Sequence, residues 1–286
     1  MPITAADIRD VVLKEDDFGH EMRVGKVIRD IPGIQIEHGG TYIDSVTGKP
    51  RQFDFRCSIK KESAELNLAV ECKNLNSSAP LVICGTKRQS NEASHDLIGW
   101  RPGSGYKQVA YTSRPIPVTF RANGVYAFYQ PDKFVGKSSV RIKPNPNSKA
   151  LNQFVADSDS DVYEKWAQAL SSSVGLIETA RERAMRHQVS EFCTTVLPAV
   201  VVPDDSIWKV EYDENGSICG QPENVNNCEL FVGREILLND QVFPHQFKFS
   251  HIHFFTIGGF GSFLSSMTSD NNVWNKLFTL KSQQIS

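Results

Sequence analysis

The stretch Arg51–Leu75, RQFDFRCSIKKESAELNLAVECKNL, contains two segments whose residues alternate as they do in half-buried β-strands. Side chains two residues apart share one face of a strand, so Phe53 would lie on the face opposite to Asp54. In the second segment, LNLAVECK, the same rule puts Glu71 and Lys73 on one face. If the two strands are neighbours, then Asp54, Glu71 and Lys73 gather on a single face of a sheet.

Two carboxylates that converge in this way repel each other unless a cation lies between them. Oxygen ligands of this kind suit Mg²⁺, which keeps several waters and also accepts phosphate oxygens, and Mn²⁺ can substitute for it. The ammonium of Lys73 could then serve an attacking water and stabilise charge on a phosphate. The simpler interpretation is a surface strand on which Glu71 and Lys73 form an ion pair, but it leaves the acid in the centre of the neighbouring strand unexplained.

The pattern outside this stretch predicts an α/β protein with a mixed β-sheet flanked by helices. Helices are expected in the first thirty residues and in DVYEKWAQALSSSVGLIETARERAMRH, and a doubly covered strand in TTVLPAVVVP. Prolines and short β-like pieces set the middle of the chain apart. We therefore expect one α/β core from residues 1–75 and 157–286, and a β-rich basic insertion at residues 76–156.

Charge is unevenly distributed along the chain. Residues 74–150 carry 11 Lys and Arg against 3 Asp and Glu, whereas the chain as a whole has a net charge of −2. A basic block in an acidic protein suggests a surface for a polyanion such as nucleic acid, and a solubilising face is the alternative. The candidate nucleic-acid-binding residues of the block are Lys87, Arg88, Arg101, Lys107, Arg114 and Arg121.

The acids and the lysine described above resemble the PD-(D/E)XK, or restriction-endonuclease-like, nuclease superfamily. The matching pieces are Glu21 in FGHEMRVGKVI, Asp54 in TGKPRQFDF, and the ECK tripeptide that ends LNLAVECK. The resemblance implies a restriction-endonuclease-like fold in which Asp54, Glu71 and the main-chain carbonyl of Cys72 bind Mg²⁺. It also implies that Lys73 serves the attacking water and that Glu21 helps to bind the metal. It covers residues 15–75 well and the later helix and strand loosely.

We therefore expect a Mg²⁺-dependent endonuclease that hydrolyses DNA, or RNA as the second choice, in defence, restriction or repair. The expected partners are nucleic acid and either a helicase or ATPase subunit or a second copy of the chain. Two alternatives remain open: a nucleic-acid-binding or scaffold subunit that does not cleave, and a metal-dependent enzyme acting on a small phosphorylated substrate.

The compartment is expected to be the cytoplasm. The first residues show no signal peptide, no segment is apolar and long enough for a membrane span, and the six cysteines are interpreted as reduced thiols. Zinc binding by Cys219, Cys228 and the histidines at 245, 251 and 253 is a weaker hypothesis, because the spacing is wide and contains no CxxC.

Overall fold

The computed structural model describes residues 2–14, 17–44, 47–75, 78–101, 116–124, 127–147, 153–187, 193–238 and 245–278. Within these ranges the chain forms five α-helices and thirteen β-strands. The helices are α1 (Ala5–Lys14), α2 (Asp17–Asp30), α3 (Ser160–His187), α4 (Ile257–Ser269) and α5 (Asn271–Leu277). The strands are β1 (Ile34–Ile43), β2 (Pro50–Lys61), β3 (Ala64–Cys72), β4 (Leu81–Lys87), β5 (Ser94–Arg101), β6 (Ile116–Asn123), β7 (Phe134–Pro144), β8 (Phe154–Asp157), β9 (Cys193–Val202), β10 (Ile207–Glu211), β11 (Glu223–Asn224), β12 (Asn227–Leu238) and β13 (His245–Thr256).

A single mixed sheet joins these strands. Its main path runs in the order β1-β2-β3-β9-β13-β12-β7-β4-β10-β11, while β5 and β6 branch from β9 and β8 pairs with β7. The first three strands form an antiparallel meander, whereas β9 is parallel to both of its neighbours on the main path, β3 and β13. The predicted α/β class, with a mixed sheet flanked by helices, is confirmed. The restriction-endonuclease-like version of that fold stays a prediction.

Helices cover the sheet on both faces, and this explains why β3 and β9 are buried along nearly their whole length. On one face, Val24 of α2 and Leu264 of α4 belong to an apolar cluster with Phe55 of β2. On the other face, Ile177 of α3 packs with Val196 of β9. Each large side chain that is buried in this way contributes roughly 1.5–3 kcal/mol to folding.

The segment 76–156 contributes strands to this same sheet. Strand β4 is antiparallel to β7 and parallel to β10, and Leu81 and Ile83 of β4 share an apolar cluster with Ile207 of β10. Strands β4 and β7 approach so closely that a Cβ on Gly85 would lie 2.0 Å from the carbonyl oxygen of Val135. The described part of this segment is therefore an integral portion of the sheet, because its apolar residues complete the common core.

No helix in the described ranges combines the length and the apolar character that are needed to cross a bilayer.

Candidate functional site

The register of the β2–β3 hairpin places Asp54 and Glu71 side by side. Phe55 of β2 pairs with Val70 of β3, so Asp54 and Glu71 each lie one residue beyond this pair, in the same direction along the sheet. Their side chains leave the face on which Phe55 and Val70 join the apolar core with α2 and α4. Both carboxylates therefore lie on the face that α3 covers.

Lys165 of α3 lies between these two carboxylates. Its Nζ atom is 3.1 Å from Oδ2 of Asp54 and 3.2 Å from Oε2 of Glu71. The same Oδ2 of Asp54 also accepts a hydrogen bond of 2.7 Å from the main-chain amide of Cys72. The site is therefore an acid–ammonium–acid arrangement that joins two strands to a helix.

Lys165 was not a candidate on sequence grounds, although one signal was present. The residue lies three positions after Val162 and four before Ala169, and both of these are fully buried on α3. Residues at these spacings share one face of a helix, so Lys165 interrupts an apolar stripe. A lysine at such a position needs an anionic partner in the structure that the helix covers.

Burial makes Glu71 an unusual carboxylate. Its side chain is 1% exposed. Desolvation raises its pKa to about 8, with a further increase from the charge of Asp54 that Lys165 only partly offsets. Burial alone would lower the pKa of Lys165, but the carboxylates of Glu71 and Asp54 raise it above its ordinary value. The three groups thus retain the ammonium and favour one protonated acid, which balances the charge within the buried site.

One oxygen of Glu71 is not satisfied. Within the described part of the chain, its Oε1 atom is buried and has no hydrogen-bond partner. A buried polar atom without a partner costs about 1–3 kcal/mol, and in native proteins it calls for a specific explanation. An oxygen-seeking cation would satisfy it.

Lys73 lies apart from the pair of carboxylates. Its Nζ atom is 3.6 Å from Asp17 of α2 and 3.8 Å from Asp161 of α3, and its main-chain amide donates to the carbonyl of Val201. Asp161 precedes Lys165 by four residues, which is about one turn of α3. The two lysines therefore contact different acids at the end of β3.

Glu21 is directed away from Asp54. It pairs with Nε2 of His38 at 2.7 Å, and the His38 ring stacks on Phe55 with ring centroids 4.6 Å apart. Phe55 lies on the face covered by α2, opposite to the carboxylates. The structure thus brings together Asp54 and Glu71, and it places Glu21 on the other side of β2.

Cys72 contributes its main chain to the site. Its thiol lies in the apolar cluster under α2, and burial raises the pKa of this thiol well above its ordinary value. Its amide holds Asp54, as described above. The predicted role of its carbonyl as a metal ligand stays a prediction.

The predicted basic residues do not form one exposed surface. Arg88 is 3% exposed and donates to Glu229, to Nε2 of His251 and to the carbonyl of Gln130, so the prediction that it faces a ligand at the surface is wrong. Glu229 and His251 lie in strands 141 and 163 residues away along the chain, which is why a local sequence pattern could not reveal the burial of Arg88.

The other members of this set have different positions. Arg121 forms a two-pronged ion pair with Asp96, Lys87 is exposed, and Arg101 is the last residue of β5. Lys107 and Arg114 lie outside the described residues. Because the guanidinium of Arg121 is already held by a carboxylate, Lys87 is the best candidate for a phosphate contact in this set.

The weaker zinc hypothesis finds no support in the described ranges. Cys228 is buried whereas Cys219 is exposed, and His253 is hydrogen-bonded to the Tyr129 hydroxyl at 2.6 Å. No group of three or more His, Cys, Asp or Glu side chains in these ranges is arranged to hold a metal. Any metal at Asp54 and Glu71 would therefore complete its coordination with water, main-chain or substrate oxygens.

That donor set suits Mg²⁺. Mg²⁺ is commonly held by one or two carboxylates and keeps several waters, and the unsatisfied Oε1 of Glu71 offers one of the oxygens it needs. Lys165 already shows that a cation is stable between the two acids.

Comparison of the chain with models of protein families, with curated proteins and with solved structures finds no significant match.

Proposed function

We propose that this chain is a Mg²⁺-dependent phosphodiesterase that hydrolyses nucleic acid, with DNA preferred over RNA. The observation that carries the proposal is the convergence of the Asp54 and Glu71 carboxylates on one cation, at 3.1 and 3.2 Å, with an oxygen of Glu71 left unsatisfied. The resemblance of the Asp54–Lys73 region to PD-(D/E)XK nucleases supports the same chemistry. A role in defence, restriction or repair belongs to the proposal by that resemblance alone.

The residues divide the work as follows. Asp54 and Glu71 would hold Mg²⁺, with the carbonyl of Cys72 as a third ligand. The bound ion would lower the pKa of a water and neutralise charge on the attacked phosphate. Lys73, whose side chain is 20% exposed, would orient that water and stabilise negative charge on the phosphate.

A polymeric substrate is supported by the exposure of Lys87, which is free to contact a phosphate at the surface. A substrate phosphate could approach Lys73, because the ion pairs of this lysine with Asp17 and Asp161 are long. Long pairs of partly exposed groups contribute little to stability, so they can exchange for a phosphate at small cost.

The test is to incubate the purified chain with plasmid, linear duplex, single-stranded DNA and RNA in Mg²⁺, Mn²⁺ or EDTA. Glu71→Gln and Asp54→Asn should abolish cutting, whereas Asp30→Asn should not, because Asp30 pairs with Lys26 on the exposed side of α2. Metal-dependent cutting that survives in both site variants would disprove the assignment. Cutting of a small phosphodiester with no cutting or binding of polymers would replace the nucleic-acid substrate by a small one.

A second candidate function is a nucleic-acid-binding or scaffold subunit that does not cleave, working with a helicase or ATPase partner or with a second copy of the chain. The ion pairs of Lys165 favour it, because one ammonium, one carboxylate and one protonated acid already balance the charge of the site without a metal. Salt-sensitive binding of nucleic acid, without cutting in any metal and with no effect of Glu71→Gln, would favour this function over the first.

A further inference from the structure

We infer that Lys165 is the built-in counter-cation of the candidate metal site, and that a divalent ion enters only by displacing its ammonium from Asp54 and Glu71. The inference rests on the metal-binding part of the proposed function. It adds a means of regulation, because in the absence of metal the Lys165 ammonium occupies the position between the two acids that a metal would take.

Geometry singles out Lys165 for this role. Its Nζ atom is within 3.2 Å of both carboxylates, which is where a metal held by both acids would have to lie. Lys73, by contrast, is 3.6 Å from Asp17 and 3.8 Å from Asp161 and has no ion pair with either site carboxylate. Only one of the two lysines therefore competes directly with a metal.

The ammonium is also an incomplete substitute for a metal. It reaches Oε2 of Glu71, whereas Oε1 of the same buried carboxylate has no partner among the described residues. A doubly charged ion would be attracted more strongly by two acids than a single ammonium is, and it could take the oxygen that the ammonium leaves unsatisfied. The exchange thus improves the contacts of Glu71.

The Lys165 side chain has access to solvent, so its ammonium can leave the site. Its side chain is 24% exposed, which is more than either of its partners, with 17% for Asp54 and 1% for Glu71. The long, flexible lysine chain can carry its charged end toward water while its stem stays packed. Once displaced, the ammonium remains beside the site, where it can donate to an anionic oxygen of a substrate.

The first experiment measures binding of Mn²⁺ alone to the full chain, by electron paramagnetic resonance of the free ion. Lys165→Met should bind Mn²⁺ at least fivefold more tightly than the unmodified chain, because the competing ammonium is gone. Lys26→Met, on the exposed side of α2, should change the affinity less than twofold, and Glu71→Gln should lose the site. Equal or weaker affinity in Lys165→Met would overturn the inference.

A second readout uses the unmodified chain and so does not depend on the folding of a variant. Amine-directed acetylation, followed residue by residue by mass spectrometry, should modify Lys165 at least threefold faster in saturating Mn²⁺ than in EDTA. Lys26, which is exposed and pairs with Asp30 on the same helix, provides the reference rate. Unchanged protection of Lys165 with Mn²⁺ bound would overturn the inference.

The two proposals fail in different ways. Tighter Mn²⁺ binding by Lys165→Met with no cutting of any nucleic acid would support the counter-cation role and count against the nuclease. Cutting that depends on Glu71, with identical Mn²⁺ affinity in Lys165→Met and the unmodified chain, would support the nuclease and disprove the counter-cation role. Absence of Mn²⁺ binding in every form would overturn both.

Discussion

Asp54 and Glu71 lie side by side on neighbouring antiparallel strands, and they share the ammonium of Lys165 at 3.1 and 3.2 Å. The two acids differ in their surroundings, because Asp54 is held by the Cys72 amide and is 17% exposed, whereas Glu71 is 1% exposed with one oxygen unsatisfied. Such an arrangement is not optimised for stability. It is typical of a site whose buried charge serves a ligand.

The first prediction compares these two acids in the absence of metal. At pH 7 Glu71→Gln should change the free energy of unfolding by less than about 1 kcal/mol, because burial already favours the neutral acid and the amide is neutral and isosteric. Asp54→Asn should cost more, about 1.5–3 kcal/mol, since it removes the charge that accepts from Lys165 and from the Cys72 amide. Urea denaturation in EDTA measures both values, and a larger loss in Glu71→Gln than in Asp54→Asn would contradict the assigned surroundings.

The second prediction concerns the pH dependence of stability. Burial lowers the pKa of His95 to about 4 and that of His253 to about 3, and it also holds the pKa of His251 far below its ordinary 6.5. As the pH falls below 6.5, these histidines bind protons in the unfolded chain but stay neutral in the folded chain. Each such proton costs about 1.4 kcal/mol per pH unit, so stability should fall steeply between pH 6.5 and 5.

Glu71 acts in the opposite direction throughout this range and up to about pH 8. Its folded pKa of about 8 lies above the ordinary 4.5, so its contribution is complete below pH 4.5 and is lost as the pH rises through 8. The free energy of unfolding should therefore rise gently from pH 8 to a maximum near 6.5 and then fall. His253→Gln keeps a hydrogen-bonding group near Tyr129 but cannot titrate. In this variant the slope of the free energy of unfolding against pH below 6.5 should be smaller by the contribution of one proton. Denaturation curves at pH 5, 6, 7 and 8 measure this, and identical slopes in both chains would refute it.

The third prediction separates two neighbouring basic residues. Arg88→Gln should lower the free energy of unfolding by about 1–3 kcal/mol, because it removes a buried guanidinium that donates to Glu229, to His251 and to the Gln130 carbonyl. Lys87→Gln, at an exposed position, should leave stability nearly unchanged. If the chain binds nucleic acid through this region, Lys87→Gln should reduce the slope of the logarithm of the binding constant against the logarithm of salt concentration by the amount expected for about one phosphate contact. Equal destabilisation by the two changes would contradict the burial of Arg88.

Sequence and structure agree where the relevant physics is local, as the meander shows. Asp54 and Glu71 could be placed together from strand alternation and a short connection, because register within a hairpin follows from the turn and the apolar pattern. Lys165 is 94 residues from Glu71, and only the docking of α3 on the sheet brings the two together. Its interruption of the apolar stripe of α3 was a usable signal that some acid lay opposite, but it could not identify which acid.

Arg88 also shows that non-local contacts limit what can be predicted from the sequence. Its partner Glu229 is 141 residues away, and a basic residue next to the exposed Lys87 resembles a surface residue in any local reading. The number of positive charges in residues 74–150 was therefore a poor guide to a binding surface, because ion pairs formed across the sheet neutralise Arg88 and Arg121. Non-local pairing of this kind leaves no periodic trace in a sequence.

The last prediction tests whether the described strands of segment 76–156 unfold together with the rest of the sheet. A methyl group on Gly85 would lie 2.0 Å from the Val135 carbonyl oxygen. Because this oxygen belongs to the backbone of β7, it cannot move aside as the end of a flexible side chain can. Gly85→Ala should therefore force β4 and β7 apart and lower the free energy of unfolding by about 1–3 kcal/mol or more. Ser138→Ala, on the exposed side of β7, is the matched control and should have little effect. Because β4 also pairs with β10, hydrogen exchange should speed up in β10 as well as in β4 and β7. Faster exchange limited to β4 and β7, with β10 unaffected, would show that the segment unfolds independently of the remaining sheet.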